Sequence, residues 1–305
     1  MEYHYESLTA LAAVVREGGF DAAAKSLKVT QSAVSQRIRQ LEEKVGALLI
    51  VRGRPCLPTE LGSQLCHHLE QVLLLQHELN GRIDGMLDSH NSSGATVKIA
   101  VNSDSLATWF PSVVKRAMKD LKLQLEITPD DQDHTEESLR SGDALAVVTS
   151  IERPVQGCRR ISLGAMEYVA IASPEFYKSF LNDGVSLQTL THAPLIIFDR
   201  KDSLPQQWME SCFDESIWPP TTIMPSYEGY LECCLNGVGW GMMPISSVAK
   251  QIESGELVDL MPGKIIKISL HWQSGTQSSK IMQRLGEIVT EEAMVHLVTD
   301  SYRTL

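Results

Sequence analysis

Between Ala22 and Pro58 the chain sets seven basic residues against two acidic ones, +5 in 37 residues, inside a 305-residue protein of net charge −11. Lys25, Lys28, Arg37, Arg39, Lys44, Arg52 and Arg54 are opposed only by Glu42 and Glu43. The apolar pattern beneath this charge is that of short, closely packed helices. Leu8, Leu11, Ala12 and Val15 recur at helical spacing, and Gly18-Gly19 stop that helix. Asp21 opens a second helix whose Ala22, Ala23 and Ala24 let another helix approach closely. After a tight connection at Lys28-Val29, Thr30 is placed to cap a third helix. Ala33, Val34, Ile38 and Leu41 give that helix one apolar face, leaving Gln31, Ser32, Ser35, Gln36, Arg37 and Arg39 on the other. A short helix, a tight turn and a polar-faced helix form a helix-turn-helix. Gln, Ser and Arg early in its second helix are the groups that read base edges in the major groove.

Past Gly46, Leu48-Leu49-Ile50-Val51 reads as a strand ending in Arg52-Gly53-Arg54-Pro55, a wing whose arginines suit phosphates. With Thr30, these residues make up the expected DNA-binding set: Thr30, Gln31, Ser32, Ser35, Gln36, Arg37, Arg39, Arg52 and Arg54. A long helix follows, with Thr59 at its start. Leu65, Leu69, Val72, Leu79, Ile83 and Met86 trace a heptad seam interrupted by Gln76, which calls for a partner helix and predicts a dimer. His67, His68 and His77 read as surface or seam residues, not metal ligands.

A polar hinge at 89–94 separates this helix from alternating strand and helix texture. The expected elements include strands at Val97–Val101, Leu123–Ile127, Ala144–Val148, Tyr168–Ala172 and Leu195–Phe198, a helix at 135–141, late strands to Trp272 and a closing helix from Ser278. Alternation of this kind predicts a mostly parallel sheet with covered faces and a cleft between two lobes. The expected division is 1–58 for a winged helix-turn-helix, 59–89 for the linker helix and 90–305 for a two-lobed α/β domain. Within the last, lobe I spans about 94–162 and 269–305, and lobe II about 163–268.

Hydrophobic residues at 43% support ordinary cores, and no apolar run reaches the roughly 18 residues of a membrane span. The acidic N-terminus lacks the layout of a secretory signal, and none of the six cysteines forms a CxxC pair. A cytoplasmic protein with reduced thiols, no metal and no cofactor is expected. No GxSxG, GxxxxGK[ST] or HExxH motif is present, so no catalytic residue is proposed and an enzyme is not expected.

The N-terminal residues resemble the LysR-type transcriptional regulators. The likeness is carried by Phe20-Asp21-Ala22-Ala23-Ala24-Lys25-Ser26-Leu27, Val29 through Ile38, Leu41-Glu42, Gly46, Arg52 and Pro58-Thr59-Glu60-Leu61-Gly62. Two positions depart from the pattern: Gly19 stands where a capping Ser is usual, and Ile50 where a Phe is usual. The remainder is similar to the arginine/lysine-responsive, ArgP/LysG-like (also IciA-like) branch, through Val101–Trp109, Phe198-Asp199, Met243-Pro244 and Ser254–Gly263. The resemblance implies a winged helix-turn-helix, a dimerising linker helix and an effector domain of periplasmic-binding-protein type. It also implies dimers of dimers acting at promoter DNA, for example that of a basic amino acid exporter, with RNA polymerase a candidate partner.

The cleft residues fit a basic amino acid. Asn102 lies in the matching motif, and Ser103 and Ser105 with the adjoining helix amides can hold a carboxylate. Asp104 can take the α-ammonium; Asp130 and Asp131, with Asp133 and Asp199, can receive the side-chain cation. Thr149 and Ser150 follow a strand end as weaker candidates, and Trp240 reads as core. Alternatives are a LysR-type regulator with a different effector, or a solute-binding protein whose N-terminal module only dimerises.

Overall fold

The computed structural model describes residues 3–87, 95–129, 138–139, 143–276 and 279–299, with side chains omitted for 81–87. The expected helix at 135–141 lies outside these residues except for Ser138 and Leu139, which are helical.

The N-terminal module comprises α1 (Tyr5–Glu17), α2 (Phe20–Leu27), α3 (Gln31–Val45), β1 (Ile50–Val51) and β2 (Leu57–Pro58). Gly18, at φ 71°, ends α1 in the left-handed region, where glycine carries no Cβ penalty. Gly19 caps α2 with no side-chain hydrogen bond, so the departure from the family pattern is a missing cap. Thr30 does cap α3, its Oγ1 accepting from Ala33 N at 3.2 Å. Leu8, Leu11, Val14, Val34, Ile38, Leu41 and Leu49 close the core. The wing strand is shorter than expected: Leu48 is 72% exposed, and only Ile50 and Val51 pair with Pro58 and Leu57.

The linker helix α4 (Glu60–Leu87) seats directly on the wing base. Thr59 N donates to Leu49 O at 3.0 Å, and Thr59 Oγ1 donates to Leu48 O at 2.9 Å while accepting from Gly62 N at 3.1 Å. A Cβ on Gly62 would lie 2.1 Å from Leu49 O, so this approach requires glycine.

Two expected seam residues have another role. Leu65 is 7% exposed and Leu69 3%, both packed into the N-terminal core. The three-helix module cannot close its core alone, and the first turns of α4 complete it. Leu74, 2% exposed, then packs into the core of the second domain. Val72 is half-buried, and Leu73, Leu75 and Leu79 are exposed. The side chain of Ile83 lies outside the described residues. Polar contacts also hold α4 to the second domain: Lys98 Nζ lies 2.7 Å from Glu70 Oε1, and Ile281 N donates to Glu78 Oε1 at 2.8 Å.

The second domain follows as β3 (Thr96–Val101), α5 (Ser103–Ala107), α6 (Phe110–Leu121), β4 (Gln124–Pro129), β5 (Ala146–Thr149), β6 (Cys158–Ala172), α7 (Pro174–Phe180), α8 (Leu187–Leu190), β7 (Leu195–Ile197), α9 (Leu204–Phe213), β8 (Thr221–Ile223), α10 (Tyr227–Leu235), β9 (Gly241–Pro244), α11 (Ile245–Ser254), β10 (Val258–Asp259), β11 (Ile266–Gly275) and α12 (Lys280–His296). The large sheet runs β10-β6-β11-β5-β3-β4, with β9 also on β6.

The sheet is mixed, not mostly parallel. β3 pairs in parallel with β4 and β5, and β7 with β8. β11 is antiparallel to β5 and β6, and β9 and β10 are antiparallel to β6. The reason is topological: β6 carries the chain from one lobe to the other and β11 brings it back, so the two must oppose. Their ladder breaks at Leu163, between the Leu270–Gly164 and His271–Ser162 pairs. Gly164 there adopts φ 113°, and its Cβ position would meet Val298 O at 2.7 Å. Trp240 is fully buried, its ring 5.4 Å from that of Trp208, as expected of a core residue.

Candidate functional site

The strand ends of both lobes open on one cavity of about 850 Å³. On one side β3 delivers Asn102, Ser103 and Asp104; on the other the loop after β7 delivers Phe198, Asp199, Lys201 and Asp202. Tyr168 of β6, Tyr227 and Tyr230 of α10 and the start of β11 complete the wall. Among the described residues its charged side chains are four carboxylates, Asp104, Glu152, Asp199 and Asp202, against two amines, Lys201 and Lys267. Lys267 is held 2.9 Å from Glu167. The cavity therefore favours a ligand that brings positive charge.

Asp104 Oδ2 accepts from the Tyr168 hydroxyl at 2.6 Å. Burial pushes the Asp104 carboxyl above the ordinary carboxylate range, the Tyr168 bond opposes this, and Asp202 adds to the rise. Asp202 accepts twice from the backbone, Oδ2 from Phe198 N at 3.2 Å and Oδ1 from Leu204 N at 3.1 Å. Burial raises its carboxyl as well, against those two bonds, with Asp199 adding to the rise. Asp199 itself is exposed and spends Oδ1 on Lys201 N at 2.7 Å and Asp202 N at 3.0 Å, which shapes the turn. Tyr230, its hydroxyl buried, accepts from Met242 N and donates to Ile196 O, each at 2.8 Å, tying β9 to β7 behind the cavity.

Of the sequence-read effector residues, Asn102, Ser103, Asp104 and Asp199 meet at this wall. Ser105 and Thr149 do not. Ser105 is fully buried and accepts from Trp109 Nε1 at 3.0 Å, because one step along α5 turns its side chain from cleft to core. Thr149 is also fully buried, its Oγ1 accepting from Ile151 N at 3.3 Å; Ser150 takes its place at the wall. Asp130, Asp131 and Asp133 lie outside the described residues. The sequence reading missed Asp202 and Tyr168. The Asp202-Ser203-Leu204-Pro205 run is a helix start, with proline in the first turn of α9, and was the available signal for Asp202.

On the N-terminal module, Gln31, Ser32, Gln36 and Arg39 stand exposed on one face of α3. Thr30 is an exposed cap and Ser35 half-buried. Arg37 Nη2 binds Glu6 Oε2 at 2.8 Å and Arg39 Nε binds Glu43 Oε1 at 3.1 Å. Arg52 lies 5.5 Å over the Phe20 ring, and Arg54 is exposed on the wing. Surface pairs of this kind contribute at most about 1 kcal/mol, so a phosphate can replace the carboxylate partner.

Residues 5–63 match the bacterial regulatory helix-turn-helix model of the lysR family, and residues 90–294 match the LysR substrate binding domain. The chain belongs to the LysR family of transcriptional regulators. The HTH-type transcriptional regulator ArgP of Pseudomonas fluorescens is 36% identical over 296 residues, covering 97% of this chain and 99% of that one. The crystal structure of ArgP from Mycobacterium tuberculosis superposes with TM-score 0.82 at 35% identity, covering 98% of this chain and 100% of that one. Full-length LysG from Corynebacterium glutamicum, with bound effector Arg, superposes with TM-score 0.71 at 32% identity, covering 97% and 99%. A LysR regulator is a DNA-binding protein and not an enzyme, so the winged helix-turn-helix, linker helix and two-lobed effector domain have their functional frame. Among the described residues no helix is long and apolar enough to cross a membrane, and no cluster of His, Cys, Asp and Glu could hold a metal.

Proposed function

We propose that this regulator senses a basic amino acid, arginine or lysine, in the cytoplasm and controls promoters of genes such as a basic amino acid exporter. The observation that carries this reading is the cavity between the lobes, with four carboxylates against two amines at its wall among the described residues. Asn102, Ser103, Asp104 and Asp199 stand at that wall; Asp130 and Asp131 follow Pro129, itself a lining residue. The arginine bound to LysG, a relative of the same architecture, supports the choice of ligand.

In this reading 1–58 binds DNA, 59–89 links and 90–305 senses. α3 enters the major groove with Gln31, Ser32, Ser35 and Gln36 toward bases, while Arg37, Arg39, Arg52 and Arg54 meet phosphates and Thr30 fixes the helix start. Val72, Leu79 and Ile83, with the exposed Leu75 beside them, form the helix–helix contact of a dimer that pairs into a tetramer. RNA polymerase is the expected partner at an activated promoter. Ligand then shifts the assembly between two DNA-bound geometries, which requires different affinities for the two.

A gel-shift titration of genomic fragments with and without arginine tests the reading. Selective retention of a few fragments, altered by arginine and lost in Gln31→Ala, is expected. Equal, weak binding of every fragment, indifferent to arginine and to that substitution, refutes it.

A further inference from the structure

We infer that Asp104 and Asp202, reaching the cavity from opposite lobes, form a two-carboxylate clasp that makes a cationic side chain the condition for tight effector binding. This rests on the basic amino acid reading above and assigns the residues that enforce it.

The two carboxylates are built differently from the others at the wall. Asp104 gives one oxygen to Tyr168, at 2.6 Å, and keeps Oδ1 for a ligand. Asp202 is fixed by Phe198 N and Leu204 N, one on each oxygen, at 3.2 and 3.1 Å. Such single bonds leave lone pairs free on each oxygen. Among the described residues neither carboxylate has a cationic ion-pair partner. Both are partly covered, whereas Asp199 and Lys201 are exposed. This sets the direction of the ligand. The zwitterionic end of an amino acid is the more strongly hydrated end and suits the exposed rim near Ser103 and Lys201. The side chain then reaches inward past Tyr168 and Tyr230 to the acid pair. Asp104 thus takes the side-chain cation, in place of the α-ammonium expected of it beside Ser103 and Ser105.

Burial disfavours charge on both carboxylates when no cation is present, and neighbouring acids add to the cost, Asp202 at Asp104 and Asp199 at Asp202. A guanidinium or ammonium between them removes both penalties and draws the lobes together. A neutral isostere removes neither and leaves its own polar group facing two acids.

Isothermal titration calorimetry of the full-length protein against arginine, lysine and citrulline tests the clasp. Citrulline matches arginine in shape and lacks its charge. Wild type is expected to prefer arginine to citrulline. In Asp202→Asn arginine affinity should fall roughly 30-fold or more, the cost of truncating one partner of a buried charge pair. Citrulline affinity should change by less than about threefold, so the preference collapses. Asp104→Asn, which keeps an oxygen for Tyr168, should act in the same way and decides the matter if Asp202→Asn fails to fold. Glu175→Gln, at an exposed position on α7 away from the cavity wall, should leave the preference intact. Folded variants with the wild-type preference overturn the clasp while sparing the basic amino acid reading. An equal loss for arginine and citrulline also overturns it, since the pair would then be holding the α-ammonium. A wild type that binds neither arginine nor lysine overturns both.

Discussion

Replacing Gly62 by alanine should uncouple the linker helix from the wing. The added Cβ would stand 2.1 Å from Leu49 O, 3.1 Å from Leu49 C and 3.4 Å from the Pro58 Cβ. Backbone atoms cannot rotate away, so α4 must retreat by roughly 1 Å to reach ordinary contact distance. Overpacking of this kind costs about 1–3 kcal/mol. The retreat also stretches Thr59 N to Leu49 O and Thr59 Oγ1 to Leu48 O, now 3.0 and 2.9 Å, each contributing about 0.5–1.5 kcal/mol. Exchange of glycine for alanine inside a helix returns about 0.5–1 kcal/mol. The net loss is about 1–5 kcal/mol, placed on the helix that inserts Leu65 and Leu69 into the N-terminal core. Chemical denaturation should show the N-terminal transition moving to lower denaturant, with DNA affinity falling and arginine affinity holding. Gly275→Ala, where a Cβ meets nothing within 4 Å, is the control. A Gly62→Ala protein as stable as wild type would refute the close approach.

Gly19→Ser should restore the α2 cap and raise stability by a few tenths of a kcal/mol, read as a small increase in melting temperature. Leu74→Ala should cost about 2–4 kcal/mol, and Glu70→Gln about 1–2 kcal/mol because the Lys98 amine stays partly buried opposite it; both are measured by denaturation of the second domain. Arginine affinity should rise with pH, since Asp104 and Asp202 hold their protons above the ordinary carboxylate range and a bound cation must release them. Titrations upward from the ordinary carboxylate range check the sign, and an affinity that stays flat or falls as pH rises would count against it. For the ligand-free protein the linkage is reversed. A carboxyl raised in the folded state loses stability as pH climbs from the unfolded to the folded value, so ligand-free Asp104→Asn should melt above wild type at neutral pH, and the gap should close in acid.

The N-terminal module was legible because its determinants are local. Caps, helix faces and the Gly18-Gly19 stop act within one or two turns, and the structure reproduces them. The seam was only partly legible. Heptad spacing identifies an apolar face but not its partner, and Leu65 and Leu69 found theirs within the same module. The cleft was half legible for a similar reason. Strand ends and helix starts indicate where a site lies, which served for Asn102, Ser103 and Asp104. Which side of a one-residue step faces the cavity depends on tertiary packing, and that turned Ser105 and Thr149 inward. Tyr168 opens an expected strand and carries no local signal of a site; its hydroxyl gains a purpose because Asp104, 64 positions away, lies opposite.

The paired β6 and β11 have a mechanical consequence. They form a two-rod torsion bar between the lobes, stiff along its length where the ladder is intact and soft at the Leu163 bulge. Stretching or shearing the bar would break hydrogen bonds, whereas twisting it about the bulge breaks few. Twist about the bulge is thereby the lobe movement that breaks the fewest of these hydrogen bonds. In the proposed reading a ligand that bridges the cleft acts on this twist, and the docked linker helix connects it to the DNA-binding module.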